Sequence, residues 1–284
     1  MKEAFEHNPE KYLERTKKRA DTEYPPEKKG GVDPEIEDLK AHFADVSWEK
    51  LKGTVTFDLP SEEGSAPSKC IIEYNSILDE NILNHFSDSS DPDGGLESIP
   101  DLPNYRRITN LTFQNSKGEI VNLKDICEEV SVYVYTGAMP DTKMRGKTKI
   151  GESKELGGFF NGGTHIIMVG SSPISKRGIS YLLHEMGHAK RDRDMTMDAQ
   201  DRADTVRGKM VEEKPLKAIE RASIINDERY ADAFALNIMR KFFSRKFMKE
   251  INKQSYRSQS KYHDALGKCE SNDGVWQRFL GETI

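Results

Sequence analysis

His184, Glu185 and His188 form a His-Glu-x-x-His pattern inside the segment from Ile179 to Ala189. On an α-helix, residues four apart stand one turn above each other, so this spacing aims both imidazoles at a single ion and sets a carboxylate beside them. Two histidines fall short of the three protein ligands that a catalytic zinc ion takes while keeping an open position for water. A third donor must come from further along the chain. The best candidate is Glu228, and its rival is Asp194, at the last position of the longer H-E-x-x-H-x-x-G-x-x-[HD] spacing. The longer arrangement calls for glycine where this chain has Arg191, because the helix must turn sharply there to bring the third ligand back.

These side chains need two helices. Ile179, Leu183 and Met186 make an i, i+4, i+7 apolar stripe, with Tyr181, His184, Glu185 and His188 on the neighbouring stripe. Downstream, Ile224, Ile225, Ala231, Phe234, Ala235, Ile238 and Phe242 predict a second amphipathic helix carrying Glu228. The small side chains of Ala231 and Ala235 let the two helices approach closely enough for a short carboxylate to reach the ion. Asp232, one turn beyond Glu228, is placed to accept the spare ring N–H of a ligand histidine and fix its tautomer. With the metal lowering the pKa of a bound water, Glu185 is the expected general base, and it then returns the proton to the leaving amine. Tyr181, His165 and Tyr230 are the candidates for stabilising the developing oxyanion.

His184-Glu185-x-x-His188 followed by Glu228-x-x-Ala231-Asp232-x-Phe234-Ala235 resembles the gluzincin metallopeptidases and, within them, is most similar to the ImmA/IrrE-like family. The resemblance covers roughly residues 105 to 250, of which only these two motifs are specific. It implies a zincin-like fold, one zinc ion per chain, and an endopeptidase acting on a protein or peptide substrate. It also implies an edge strand just before the active-site helix, where His165 to Val169 would sit, with the substrate laid along it. The alternative is a non-catalytic protein-binding module on the same scaffold, one that would associate with nucleic acid through the basic 240–261 segment.

The chain has 284 residues, 35% apolar and 32% charged, with a formal charge of -5, enough apolar content to bury a sizeable core. No apolar run approaches the roughly 18 to 20 residues of a membrane span, and the charged N-terminus does not read as a secretory signal, so a cytoplasmic location is expected. Cys70, Cys127 and Cys269 are odd in number and far apart, which points to reduced thiols. The mild net charge does not announce a nucleic-acid partner. Locally, residues 240 to 261 carry eight basic residues against the single acid Glu250, interleaved with Phe242, Phe243, Phe247 and Tyr256. That pattern suits a solvated helix face with its aromatics packed inward better than a nucleic-acid surface. His7, His42, His85 and His263 stand in no partner pattern.

Asn8-Pro9-Glu10 and Asp33-Pro34-Glu35 each read as a helix start, predicting helices over 9–20 and 34–45. Strands are expected at 54–59, 69–74, 108–113, 119–123, 130–135 and 165–169, with a short helix at 123–129 and helices from 174 onward. The Ser/Asp/Gly/Pro-rich run at 84–104 reads as a linker. The expected architecture is α+β, with a small N-terminal α/β region (1–83), a linker (84–104) and a domain at 105–284 of small twisted sheet and helical C-terminal half, zincin-like as the resemblance implies.

Overall fold

The computed structural model describes residues 7–23, 52–59, 61, 64–76, 105–135, 158–161, 165–169, 176–211 and 214–268. The helix expected at 34–45, the linker at 84–104, and His42, His85 and Cys269 lie outside the described residues.

Helix α1 (Pro9–Glu23) starts as its signal predicts: Asn8 Oδ1 accepts the Lys11 N–H at 3.0 Å, Pro9 opens the helix and Glu10 sits in its first turn. The antiparallel hairpin β1 (Lys52–Asp58) and β2 (Lys69–Ser76) follows. Alternation is plain in β2, where Cys70, Ile72 and Tyr74 are buried and Lys69 and Glu73 exposed. Next come β3 (Tyr105–Gln114), the short β4 (Ile120–Asn122), helix α2 (Lys124–Glu129), and strands β5 (Ser131–Tyr135), β6 (Gly158–Asn161) and β7 (Ile166–Val169). They join in one seven-stranded sheet of order β1-β2-β3-β5-β7-β6, with β4 paired to β3. Every pair is antiparallel except β5 with β7.

Four helices form the C-terminal half: α3 (Lys176–Arg193), α4 (Met197–Val211), α5 (Ala218–Phe242) and α6 (Arg245–Lys268). The chain is thus mixed α+β. Helix α4 occupies much of the stretch between the His184–His188 and Glu228–Asp232 turns. The larger core cluster joins the sheet (Ile72, Ile108, Val132, Ile167) to α3 (Ile179, Leu183, Met186) and to α5 and α6 (Met239, Phe242, Phe247). A smaller cluster of Tyr12, Val206, Leu216, Ala222, Ile225 and Leu266 ties α1 and α4 to the base of α5 and the end of α6. None of the described helices is long and apolar enough to cross a membrane.

Two expectations need correction. First, β7 is not an edge strand: it lies between β5 and β6, and the sheet ends, among the described residues, on β6. A four-residue strand of Gly-Phe-Phe-Asn between glycines has too little alternation to register as a strand in the sequence. Second, the described residues before residue 84 form no separate core. β2 is hydrogen-bonded along β3, Val55, Leu59, Cys70 and Ile72 share the main cluster with Ile179 and Phe242, and α1 packs on α5 and α6. A two-stranded hairpin is marginal alone and gains its stability by joining a larger sheet.

The basic run divides as its aromatics suggest. Phe242, Phe243 and Phe247 are buried, with Phe243 stacked on Phe247 at 4.7 Å, while Arg240, Lys241, Arg245, Lys246 and Lys249 are exposed. Cys70 and Cys127 are free and buried, and burial pushes the Cys127 thiol up to about 12.

His263 on α6 meets Thr16 Oγ1 on α1 at 2.9 Å and is buried. Burial, aided by the nearby Lys17 charge, lowers it to about 4. The folded value lies below the ordinary 6.5, so the unfolded chain takes the proton first. The stability this group contributes is present above pH ~6.5 and is lost as the pH falls to ~4. Relative to a His263→Gln variant, the wild type is expected to lose up to about 3 kcal/mol across that window, read from urea midpoints at stepped pH. Parallel curves for the two proteins would contradict this.

Candidate metal centre

The site is made where α3 crosses α5. A Cβ on Gly187 would lie 2.7 Å from Ala231 Cα and 2.9 Å from its carbonyl oxygen, so the two backbones touch where neither residue carries a large side chain. His184 and His188 stand three residues before and one after Gly187, and Glu228 and Asp232 stand in the same relation to Ala231. The contact therefore sets one turn of histidines against one turn of carboxylates. The apolar stripes predicted for both helices anchor them: Ile179, Leu183 and Met186 are at most 1% exposed, and Ala231 is fully buried.

His184 Nε2 and His188 Nε2 face each other at 3.1 Å. Glu228 completes the group, with one carboxylate oxygen 3.3 Å from His184 Nε2 and the other 3.6 Å from His188 Nε2. These three side chains form a group that could hold a metal ion. The donor set fits: ligand atoms 2.0–2.1 Å from a tetrahedral ion stand about 3.3 Å from one another, close to the separations found here. Two ring nitrogens that face each other can both offer lone pairs only to a cation.

The remaining ring nitrogens are supported unequally. His184 Nδ1 donates to Asp232 Oδ1 at 2.8 Å. His188 Nδ1 stands 3.7 Å from Asp227 Oδ2, an ion-pair rather than a hydrogen-bond distance. Asp227 is also paired with Arg191 and lies 3.7 Å from Arg207. Burial works against charge throughout. On His184 it is outweighed by the bonds to Asp232 and Glu228, which hold the imidazole well above its ordinary value. On His188 the Glu228 charge likewise overcomes burial. Conversely the imidazoles keep the Glu228 carboxyl well below the usual range, and His184, Ser255 and Gln259 lower that of Asp232. A field that draws protons onto two buried imidazoles also favours a divalent cation in their place.

Glu185 is buried, at 7% exposure. Tyr262 on α6 is hydrogen-bonded to Glu228, and burial together with the Glu228, Glu185 and Asp232 charges pushes its hydroxyl well above 10, leaving it a donor. The rival ligand Asp194 is not brought into the group: it is exposed and paired with Lys190 at 2.9 Å and Arg193 at 3.5 Å. Tyr181 is half-buried on α3. The Tyr230 ring lies under the Arg191 guanidinium at 5.2 Å. His165 is exposed just before β7 with φ of 50°, its carbonyl accepting the Ser131 N–H at 3.0 Å and its charge felt by Asp192 near the end of α3.

Sequence reasoning missed Asp227, Ser255, Gln259 and Tyr262. Asp227 could have been found as the acid next to Glu228. The three on α6 carried no signal beyond i, i+4, i+7 spacing on a helix whose neighbours were unknown. No protein-family model matches the chain, and no curated protein or solved structure is significantly similar to it.

Glycine costs about 1 kcal/mol relative to alanine inside a helix, so propensity alone favours Gly187→Ala. The clash with Ala231 backbone opposes it, and overpacking of this kind costs about 1–3 kcal/mol or more. We expect Gly187→Ala to be destabilised by about 1–2 kcal/mol in urea unfolding. Gly208→Ala on α4, where an added Cβ meets nothing within 4 Å, should be stabilised by up to about 1 kcal/mol.

Proposed function

We propose that the chain is a zinc-dependent endopeptidase of the gluzincin type, similar to the ImmA/IrrE-like family. The observation that carries this reading is the meeting of His184, His188 and Glu228 at near-tetrahedral separations, with buried Glu185 next to the first histidine. Zinc held there would polarise a peptide carbonyl and lower the pKa of water at its open position.

The protein's own groups do the rest. Asp232 holds the Nδ1–H of His184, which leaves Nε2 as the lone-pair nitrogen. Glu185 accepts the proton of the attacking water on its carboxylate and delivers it to the departing amide nitrogen. Tyr262, whose hydroxyl stays protonated beside Glu228, joins Tyr181, His165 and Tyr230 as a donor candidate for the oxyanion. The substrate is best laid along β6 rather than β7, because β6 ends the described sheet and packs beside α3, which suits strand addition next to the site.

The chain purified without added metal is expected to carry, or to take up, about one zinc per molecule by elemental analysis. Asp194→Ala should retain it and Glu228→Ala should lose it. No uptake by the wild type, or loss in Asp194→Ala alone, would overturn the ligand assignment.

For activity, the expected outcome is chelator-sensitive cleavage of fluorescently quenched, unfolded casein, restored by zinc. Glu185→Gln should retain the metal and lose at least about 100-fold in rate. Hydrolysis that survives this substitution would sink the mechanism.

A further inference from the structure

Asp232 has both of its oxygens engaged from opposite sides. Oδ1 accepts from His184 Nδ1 at 2.8 Å, while Oδ2 accepts from Ser255 Oγ at 2.5 Å and from Gln259 Nε2 at 2.6 Å. A carboxylate held through one oxygen can swing about its side-chain torsions; donors on both oxygens fix its plane and hence the imidazole it supports. Ser255 and Gln259 lie four apart on α6, so one helix face supplies both donors, and Tyr262 on the same face reaches Glu228. That helix is itself fixed from a neighbouring face by α1, through His263 on Thr16, Asp264 on Lys17 at 2.6 Å, Ser260 on Asp21 at 2.6 Å and Tyr256 under Arg19. Asp232 is largely buried, with 15% of its side-chain surface open, so few of these bonds can be replaced by water.

We propose that Ser255 and Gln259 are positioning residues for the metal centre: by fixing Asp232 they hold His184 with Nε2 toward the ion, and so set how tightly the site binds a divalent metal. The proposal rests on the metal-centre reading above. It makes α6, which contributes none of the three ligands, the third wall of the site.

The test is zinc affinity of the full chain by competition with a chromophoric chelator. Ser255→Ala with Gln259→Ala should bind zinc about 10–100-fold more weakly than wild type. Ser255→Thr, which keeps the hydroxyl, should hold wild-type affinity where Ser255→Ala alone loses it. In an Asp232→Ala background the Ser255→Ala/Gln259→Ala pair should change affinity by less than about twofold, because the group it acts through is gone. Wild-type affinity in the double variant, equal losses in the Thr and Ala variants, or an undiminished loss in the Asp232→Ala background would each overturn the positioning role. A wild-type chain that binds no zinc would overturn the metal-centre reading, and this proposal with it.

Discussion

The contact between Gly187 and Ala231 governs the functional half of the molecule. Helices normally pack 8–10 Å apart, held off by the side chains between them. Here one helix brings no Cβ and the other only a methyl group, so the backbones touch and the flanking turns come within reach of each other. Histidine rings and short carboxylates can then meet without bending either helix. A larger residue at either position would separate His184 and His188 from Glu228 while leaving each helix internally intact.

Close approach has an electrostatic consequence. Two imidazoles and several carboxylates are drawn out of water, which is costly unless each finds a partner. The structure pairs them in two unequal chains. On one side His184, Asp232, Ser255 and Gln259 are linked by short hydrogen bonds. On the other, His188 faces Asp227 at a longer distance, and Asp227 is shared with Arg191 and Arg207. The first arrangement orients its histidine through directional bonds; the second supports its histidine mainly through charge.

The sheet serves this arrangement from behind. Its apolar face and the stripes of α3 and α5 bury Ile72, Ile108, Leu183, Met186 and Met239 in one cluster, giving α3 a rigid floor. Helix α1, distant in sequence, holds α6 through Thr16, Lys17 and Asp21. The elements with strong periodicity could be read locally: α1 from its cap, β2 from its alternation, α3 and α5 from their stripes. Those without it could not. β6 is four residues between glycines, and the β1–β2 hairpin looked like part of a separate region because pairing with β3 is not encoded within either segment.

What the sequence by itself determined is the chemistry of each of the two helical turns at the site: which residues bear imidazole or carboxylate, that four-residue spacing puts them on one helix face, and that Ala231 permits a close neighbour. Helical geometry makes these properties of a dozen consecutive residues. Only the tertiary structure decided which turn meets which. It excluded Asp194, which shares a helix with the histidines yet ion-pairs with Lys190 and Arg193, and it recruited Asp227, Ser255, Gln259 and Tyr262. It also placed β7 inside the sheet, with β6 at the end of the described strands. The physical reason is that hydrogen bonds and packing between segments far apart in the chain depend on the relative placement of whole elements, and that placement is set by the shared core rather than by any local pattern.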